Sequence, residues 1–132
     1  LLLARRSDAT RIHGGLWELA PSGGIDAPGA DVTMIGADEV CAQLRTELRE
    51  ELGLELDVSC ARPTALIVEG PGRSVDIVMR TNTDAPIESI GPNTDSWEYT
   101  GAQWVAIEEA SGFASRHAGE LIPSTLHMLR AI

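Results

Sequence analysis

The chain has 132 residues, 43% of them hydrophobic, and a formal net charge of −10, which describes one domain large enough to bury a core without disulfide or metal staples. All 10 basic residues are arginine, too few and too scattered for non-specific binding to a nucleic-acid backbone, which needs clustered cations. A polyphosphate suits so acidic a protein only where divalent cations intervene, and no apolar run approaches the ~18 residues of a spanning helix, so we expect a cytoplasmic protein with no nucleic-acid and no membrane partner.

Leu1 to Arg6 reads as a strand. Its apolar run is too short for a signal peptide and its charges follow the run instead of preceding it. Without an initiator Met, residues before Leu1 are expected, so 1–132 is read as a single domain whose start is incomplete. Ser7-Asp8-Ala9-Thr10 makes a polar turn, and Ile12 to Leu19 carries a second strand or extended segment. Pro21-Ser22-Gly23-Gly24 and Pro28-Gly29 punctuate the chain, and Asp31 to Gly36 has no clear state.

A helix is expected from Asp38 to Leu52, with Asp38 as N-cap, Glu39 in the first turn and Gly53 as its stop. Val40, Cys41, Leu44, Leu48 and Leu52 form its apolar arc. Leu56 to Val58, Thr64 to Val68 and Val75 to Thr81 read as strands, the last two joined by a Glu69-Gly70-Pro71-Gly72 turn. Thr83 to Ser96 is a polar loop, Ala102 to Ile107 a last strand, and the remainder, with Leu121, Leu126, Met128 and Leu129, a C-terminal helix. Strands and helices mix without regular βαβ alternation, so the expected class is α/β (α+β), a mixed sheet flanked by helices. Cys41 and Cys60 lack CxxC spacing and read as reduced, buried thiols.

The segment Thr46-Glu47-Leu48-Arg49-Glu50-Glu51-Leu52-Gly53-Leu54 carries the chemistry. At ~100° per residue, Glu47, Glu50 and Glu51 share roughly a third of the helix circumference, beside the apolar arc. Neither Arg45 nor Arg49 is placed to neutralise the whole trio. Clustered carboxylates repel one another, and a hard divalent cation such as magnesium removes that penalty. An isolated E-x-x-E-E run is more often a solvated face; its setting, after a Gly-Gly loop and before Gly-Leu, favours the functional reading.

In that setting, Gly24 to Leu54 resembles the box of the Nudix hydrolases, G-x5-E-x7-R-E-U-x-E-E-x-G-U with U apolar. Glu47, Leu48, Glu50, Glu51, Gly53 and Leu54 match its second half position by position, and Gly24 matches its opening glycine. Trp17-Glu18-Leu19 is similar to the strand leading into the box, and Trp104-Val105 to a late strand of the family. Two departures stand out. Thr46 occupies the arginine position, with Arg45 one residue early, and the loop after Gly24 is about eight residues longer than the pattern. The first glutamate of the pattern therefore falls on Asp38 counted back from the helix and on Ala30 counted forward from Gly24.

The resemblance implies a Nudix α/β/α sandwich and Mg2+-dependent cleavage (Mn2+ an alternative) of a diphosphate linkage in a nucleoside diphosphate derivative. The Trp17 to Gly24 stretch leans toward ADP-ribose or nucleoside diphosphate sugars, and Pro71 lies near a proline of ADP-ribose-type members. Glu47, Glu50 and Glu51 would be metal ligands and catalytic residues, with the Gly24 carbonyl a further ligand. Glu98 is the candidate general base, ahead of Glu88. Trp17, Glu18, Trp97 and Arg5 are candidate substrate contacts, although a Trp beside a strand is more often core, and Arg6 is an alternative phosphate contact. His13, His117 and His127 show no metal-ligand spacing. A homodimer is left open. The alternative reading is a catalytically inactive Nudix-fold module that binds a nucleotide or regulates, which Thr46 and the long loop favour.

Overall fold

The computed structural model describes residues 1–25, 34–69 and 74–132. The readings that concern Pro28-Gly29, Ala30, the first half of Asp31 to Gly36, and the Gly70-Pro71-Gly72 turn lie outside the described residues. Elements follow the order β1 (Leu2–Arg6), β2 (Trp17–Leu19), α1 (Ala37–Leu52), β3 (Arg62–Glu69), β4 (Ser74–Arg80), β5 (Tyr99–Trp104), α2 (Ala110–Arg116) and α3 (Pro123–Ala131). Helices and antiparallel strands together make an α+β fold.

Strand β1 is central, between β2 and β5 and antiparallel to both. Its side chains alternate between two cores. Leu2 and Ala4 join Leu48 and Leu52 of α1 with Val58, Ile90 and Tyr99. Leu3 joins Val105, Ala110, Ala114, Leu121 and Leu129, which come from the end of β5, from α2 and from around α3. Helix α1 therefore covers one face of the sheet, and α2 with α3 the other. Strands β3 and β4 form a separate two-stranded sheet. Named strands pair only antiparallel among the described residues, and the parallel contact is an isolated bridge, Trp17 to Leu121. The hairpin leaves Leu66, Val68, Val75 and Ile77 exposed. Its register sets Leu66 opposite Ile77 and Val68 opposite Val75.

Helix α1 starts one residue earlier than the sequence led us to expect. Gly36, not Asp38, is the N-cap. The Glu39 side chain reaches back to accept the Gly36 N–H at 2.8 Å, half of a capping box, and Asp38 stands exposed in the first turn. At the other end Gly53 adopts φ 64°, and its N–H and that of Leu54 close on Arg49 and Leu48 carbonyls at 3.1 and 2.9 Å, a left-handed cap that a Cβ disfavours.

Other expectations need correction. Leu56 to Val58 is not a strand: Asp57 accepts both the N–H and the hydroxyl of Ser59 at 2.9 Å, a local turn that competes with extended pairing. The last strand begins at Tyr99 and gives way to a 3-10 turn at Ile107–Glu109. The C-terminal helix is two helices. Between them, a 3-10 turn at Ala118–Glu120 leads to Leu121 on the edge of β2, and Pro123 opens α3 in its first turn, where its missing N–H costs no bond. Both cysteines are free, Cys41 half-buried and Cys60 exposed. Among the described residues no helix is long and apolar enough to cross a membrane.

Gly53→Ala tests the cap. A Cβ there meets only the Asn93 side chain at an ordinary 3.9 Å, so the cost is backbone strain alone. A loss of about 1–2 kcal/mol in urea unfolding is expected.

Candidate functional site

The last turns of α1 and the segment ahead of β5 enclose a cleft of about 440 Å³ lined by Glu47, Glu50, Glu51, Asn93, Asp95, Ser96, Trp97 and Glu98. Asn93 ties the two walls together: its N–H donates to the Glu51 carbonyl at 2.7 Å and its side-chain amide to the Glu50 carbonyl at 3.1 Å. Those carbonyls belong to the helix end, where intrahelical donors run out. The loop is thereby pinned to α1 and Glu98 is brought to Glu51.

The three helical glutamates occupy different environments. Glu50 is exposed and 3.7 Å from Arg49, a surface pair that contributes little. Glu47 is half-buried and accepts a hydrogen bond from the Gln43 amide. Burial raises its pKa, the Gln43 bond opposes the rise, and the Glu98 and Glu50 charges add to it. Glu51 is 2% exposed. It accepts the Ser22 N–H at 2.9 Å, yet burial and a side-chain hydrogen bond with Glu98 push its pKa up to about 9. Burial and the neighbouring acids thus favour the neutral form of the Glu51 carboxyl.

Behind Glu51 lies a second buried group. Glu18, also 2% exposed, pairs with Arg6 at 2.5 Å. Burial still raises its pKa, with the Arg6 charge acting against the rise. Tyr99 completes the layer. Its hydroxyl is buried and has no hydrogen bond of good geometry, although Glu18 and Glu51 both lie close enough to push the phenol well above its ordinary pKa, after burial itself. An unpartnered buried hydroxyl costs about 1–3 kcal/mol.

The Gly-Gly loop enters through Gly23. A Cβ on Gly23 would collide with the Glu47 carboxylate, whereas one on Gly24 would meet nothing within 4 Å. Gly24 is exposed, and the glycine that shapes the site is its neighbour.

The cleft gathers Glu47, Glu50, Glu51, Trp97 and Glu98 of the residues singled out in the sequence. Trp97 is 63% exposed on its rim. The others lie elsewhere. Trp17 packs against the Leu3 core, with its carbonyl accepting the Ile122 N–H at 3.0 Å, because its position on β2 faces α2 and α3. Arg5 is exposed and donates to the Gly15 carbonyl at 3.1 Å. Glu18 is sealed beneath Glu51 by its ion pair, so it does not face the cleft. Glu88 is exposed in a 3-10 turn. The sequence reading passed over Tyr99, Gly23 and Asn93. Its one available signal was that the single tyrosine directly follows Glu98.

All the donors in the cleft are oxygen, which suits a hard divalent cation, and the raised pKa of Glu51 marks where positive charge is lacking. Among the described residues no three His, Cys, Asp or Glu side chains already stand in ligand geometry. Loading would therefore require the glutamates to turn in. Comparison with known protein families, with curated proteins and with solved structures yields no match.

The buried carboxyls set a pH dependence. Below about pH 4.5 Glu51 is protonated in both folded and unfolded chains and takes nothing from stability. As pH rises toward about 9 the unfolded chain ionises while the folded protein holds the proton, so stability falls. Glu18 and Glu47, also raised, act in the same direction. Urea midpoints of the metal-free protein should decline from pH 5 to pH 9, and Glu51→Gln should flatten the decline.

Proposed function

We propose that the chain is a Nudix-type hydrolase that cleaves the diphosphate linkage of a nucleoside diphosphate derivative, of the ADP-ribose or nucleotide-sugar kind, with Mg2+ held by Glu47, Glu50 and Glu51. The observation that carries this reading is the convergence of those three glutamates with Glu98 in one cleft, on a segment that matches the second half of the Nudix box. The opening half of the box and the family's arginine position, here Thr46, give no such support.

A bound divalent cation would supply charge neutralisation for the diphosphate and a lowered pKa for the attacking water. The remaining work falls to the chain. Glu50, on the exposed rim, offers its carboxylate to an incoming cation at little desolvation cost. Glu51 would ligate as the ionised carboxylate, any proton it carries passing to solvent, since a ligating carboxyl must be ionised. Glu98, beside Glu51 and open to the cleft, is the group positioned to take a proton from water during in-line attack on phosphorus. Gly23 leaves the room in which the Glu47 carboxylate sits. Trp97 presents a free aromatic face on the rim, suited to stacking against a base.

The absence of ready-made ligand geometry among the described residues favours a second reading, a module that binds a nucleotide without hydrolysing it. One experiment separates them. The protein is incubated with nucleoside diphosphate sugars, dinucleotides and nucleoside triphosphates, with Mg2+ or with EDTA, beside Glu50→Gln. Glu50 is exposed, so the variant folds. Magnesium-dependent release of a monophosphate, reduced about a hundredfold or more in Glu50→Gln, is expected. Nucleotide binding by calorimetry with no turnover of any substrate would sink the hydrolase and keep the module.

Gly23→Ala offers an independent check. Its Cβ displaces only the flexible end of Glu47, so the unfolding midpoint should hold while affinity for Mg2+ drops about tenfold.

A further inference from the structure

Tyr99 is the only tyrosine in the chain, and the mechanism above gives it no part. It is 6% exposed, and its hydroxyl and that of Thr81 are the buried side-chain oxygens left without a partner among the described residues. Packing alone would be met by phenylalanine, which avoids the cost of the stranded hydroxyl.

The sheet register explains how the phenol comes to be there. Ala4 pairs with Ala102 and Arg5 with Gly101, but a bulge then sets Tyr99, not Thr100, opposite Arg6. Glu18 pairs with Ala4 on the other side of β1. Arg6, Glu18 and Tyr99 consequently share the face covered by α1, directly beneath Glu51. Glu18 already has the Arg6 guanidinium at 2.5 Å. Glu51 has the Ser22 N–H at 2.9 Å on its Oε2. Both carboxyl groups lie near enough to act on the phenol O–H, which is buried without a hydrogen bond of good geometry to either.

We propose that Tyr99 is a positioning residue for the cation site: its hydroxyl donates to one oxygen of the Glu51 carboxylate and turns the other toward the cleft when a divalent cation is bound. The Arg6–Glu18 ion pair holds the phenol from behind. A donor behind a ligating carboxylate fixes its orientation, and losing one typically weakens metal affinity by about 10–100-fold. The inference rests on the reading that Glu47, Glu50 and Glu51 hold such a cation.

With a single tyrosine, protein labelled with [13Cζ]tyrosine gives one resonance, and that carbon reports the hydrogen bond of its hydroxyl. Mg2+ should shift it over the same concentration range in which Mn2+ binds by electron paramagnetic resonance. Tyr99→Phe should weaken Mn2+ binding about tenfold, while the metal-free protein unfolds at an equal or higher urea concentration. A resonance unmoved while Mn2+ binds, Mn2+ affinity in Tyr99→Phe equal to wild type, or a lower metal-free midpoint overturns the positioning role alone. No Mn2+ binding by the wild type, or binding that Glu50→Gln leaves unchanged, overturns the cation site and this inference together. The resonance is read on the wild type and decides the matter even if the variant fails to fold.

Discussion

Strand β1 is packed on both faces and hydrogen-bonded along both edges, and the rest of the molecule is arranged by that constraint. Leu3 and Ala4 are fully buried, yet they belong to different cores because successive residues of a strand point to opposite sides. Helix α1 can pack only on the Leu2 and Ala4 side, and α2 with α3 only on the Leu3 side. A one-residue slip of β1 would exchange the two sets and bring Arg5 into a core. The same alternation sends Arg6 toward α1 and Arg5 to solvent. One of two adjacent arginines thus becomes part of a half-buried ion pair while the other remains on the surface.

The face of the sheet under α1 pairs apolar and ionisable packing in one layer. Toward the middle of β1 it is aliphatic, with Leu48 and Leu52 seated on Leu2 and Ala4. Toward the end of β1 it becomes Arg6, Glu18, Tyr99 and Glu51, three acids of differing strength and one permanent cation. Burying an ion pair seldom stabilises a fold as much as an apolar pair of the same volume. An arrangement with one arginine for two buried carboxyls is costlier still, and the raised pKa of Glu51, which favours its neutral form, limits that cost. Unfavourable local chemistry set into a well-packed scaffold is the usual character of a working site.

Much of the scaffold was legible from local rules. Helix α1 announced itself through an apolar arc and Gly53, and the clustering of Glu47, Glu50 and Glu51 followed from helical geometry alone. Strands β3 and β4 were found to within a few residues because their β-branched runs lie between turn formers. What escaped depended on pairing between distant segments. Nothing near Glu18 indicates that it lies opposite Ala4 beneath a helix, and a glutamate between Trp17 and Leu19 reads locally as the polar side of a strand. The bulge that selects Tyr99 over Thr100 is a property of the β1 and β5 register. Glu98 was named from sequence, but its contact with Glu51 depends on Asn93 bonding the end of α1. The Asp57 and Ser59 turn was readable in principle, and the apolar flanks Leu56 and Val58 obscured it.

Three acidic residues of α1, Glu47, Glu50 and Glu51, lie toward its carboxyl end, where the aligned peptide dipoles leave about half a negative charge. The backbone thus adds to the repulsion among Glu47, Glu50 and Glu51, in contrast to the many phosphate sites that use the positive end of a helix. A polyphosphate approaching alone meets carboxylates, the helix end and a net charge of −10, all of one sign. The same polyphosphate already chelated to a divalent ion presents a positive centre to that field. In the proposed function, the end of the helix that carries these side chains would discriminate between free and chelated forms of the anion at the stage of diffusional encounter, before any side chain makes contact.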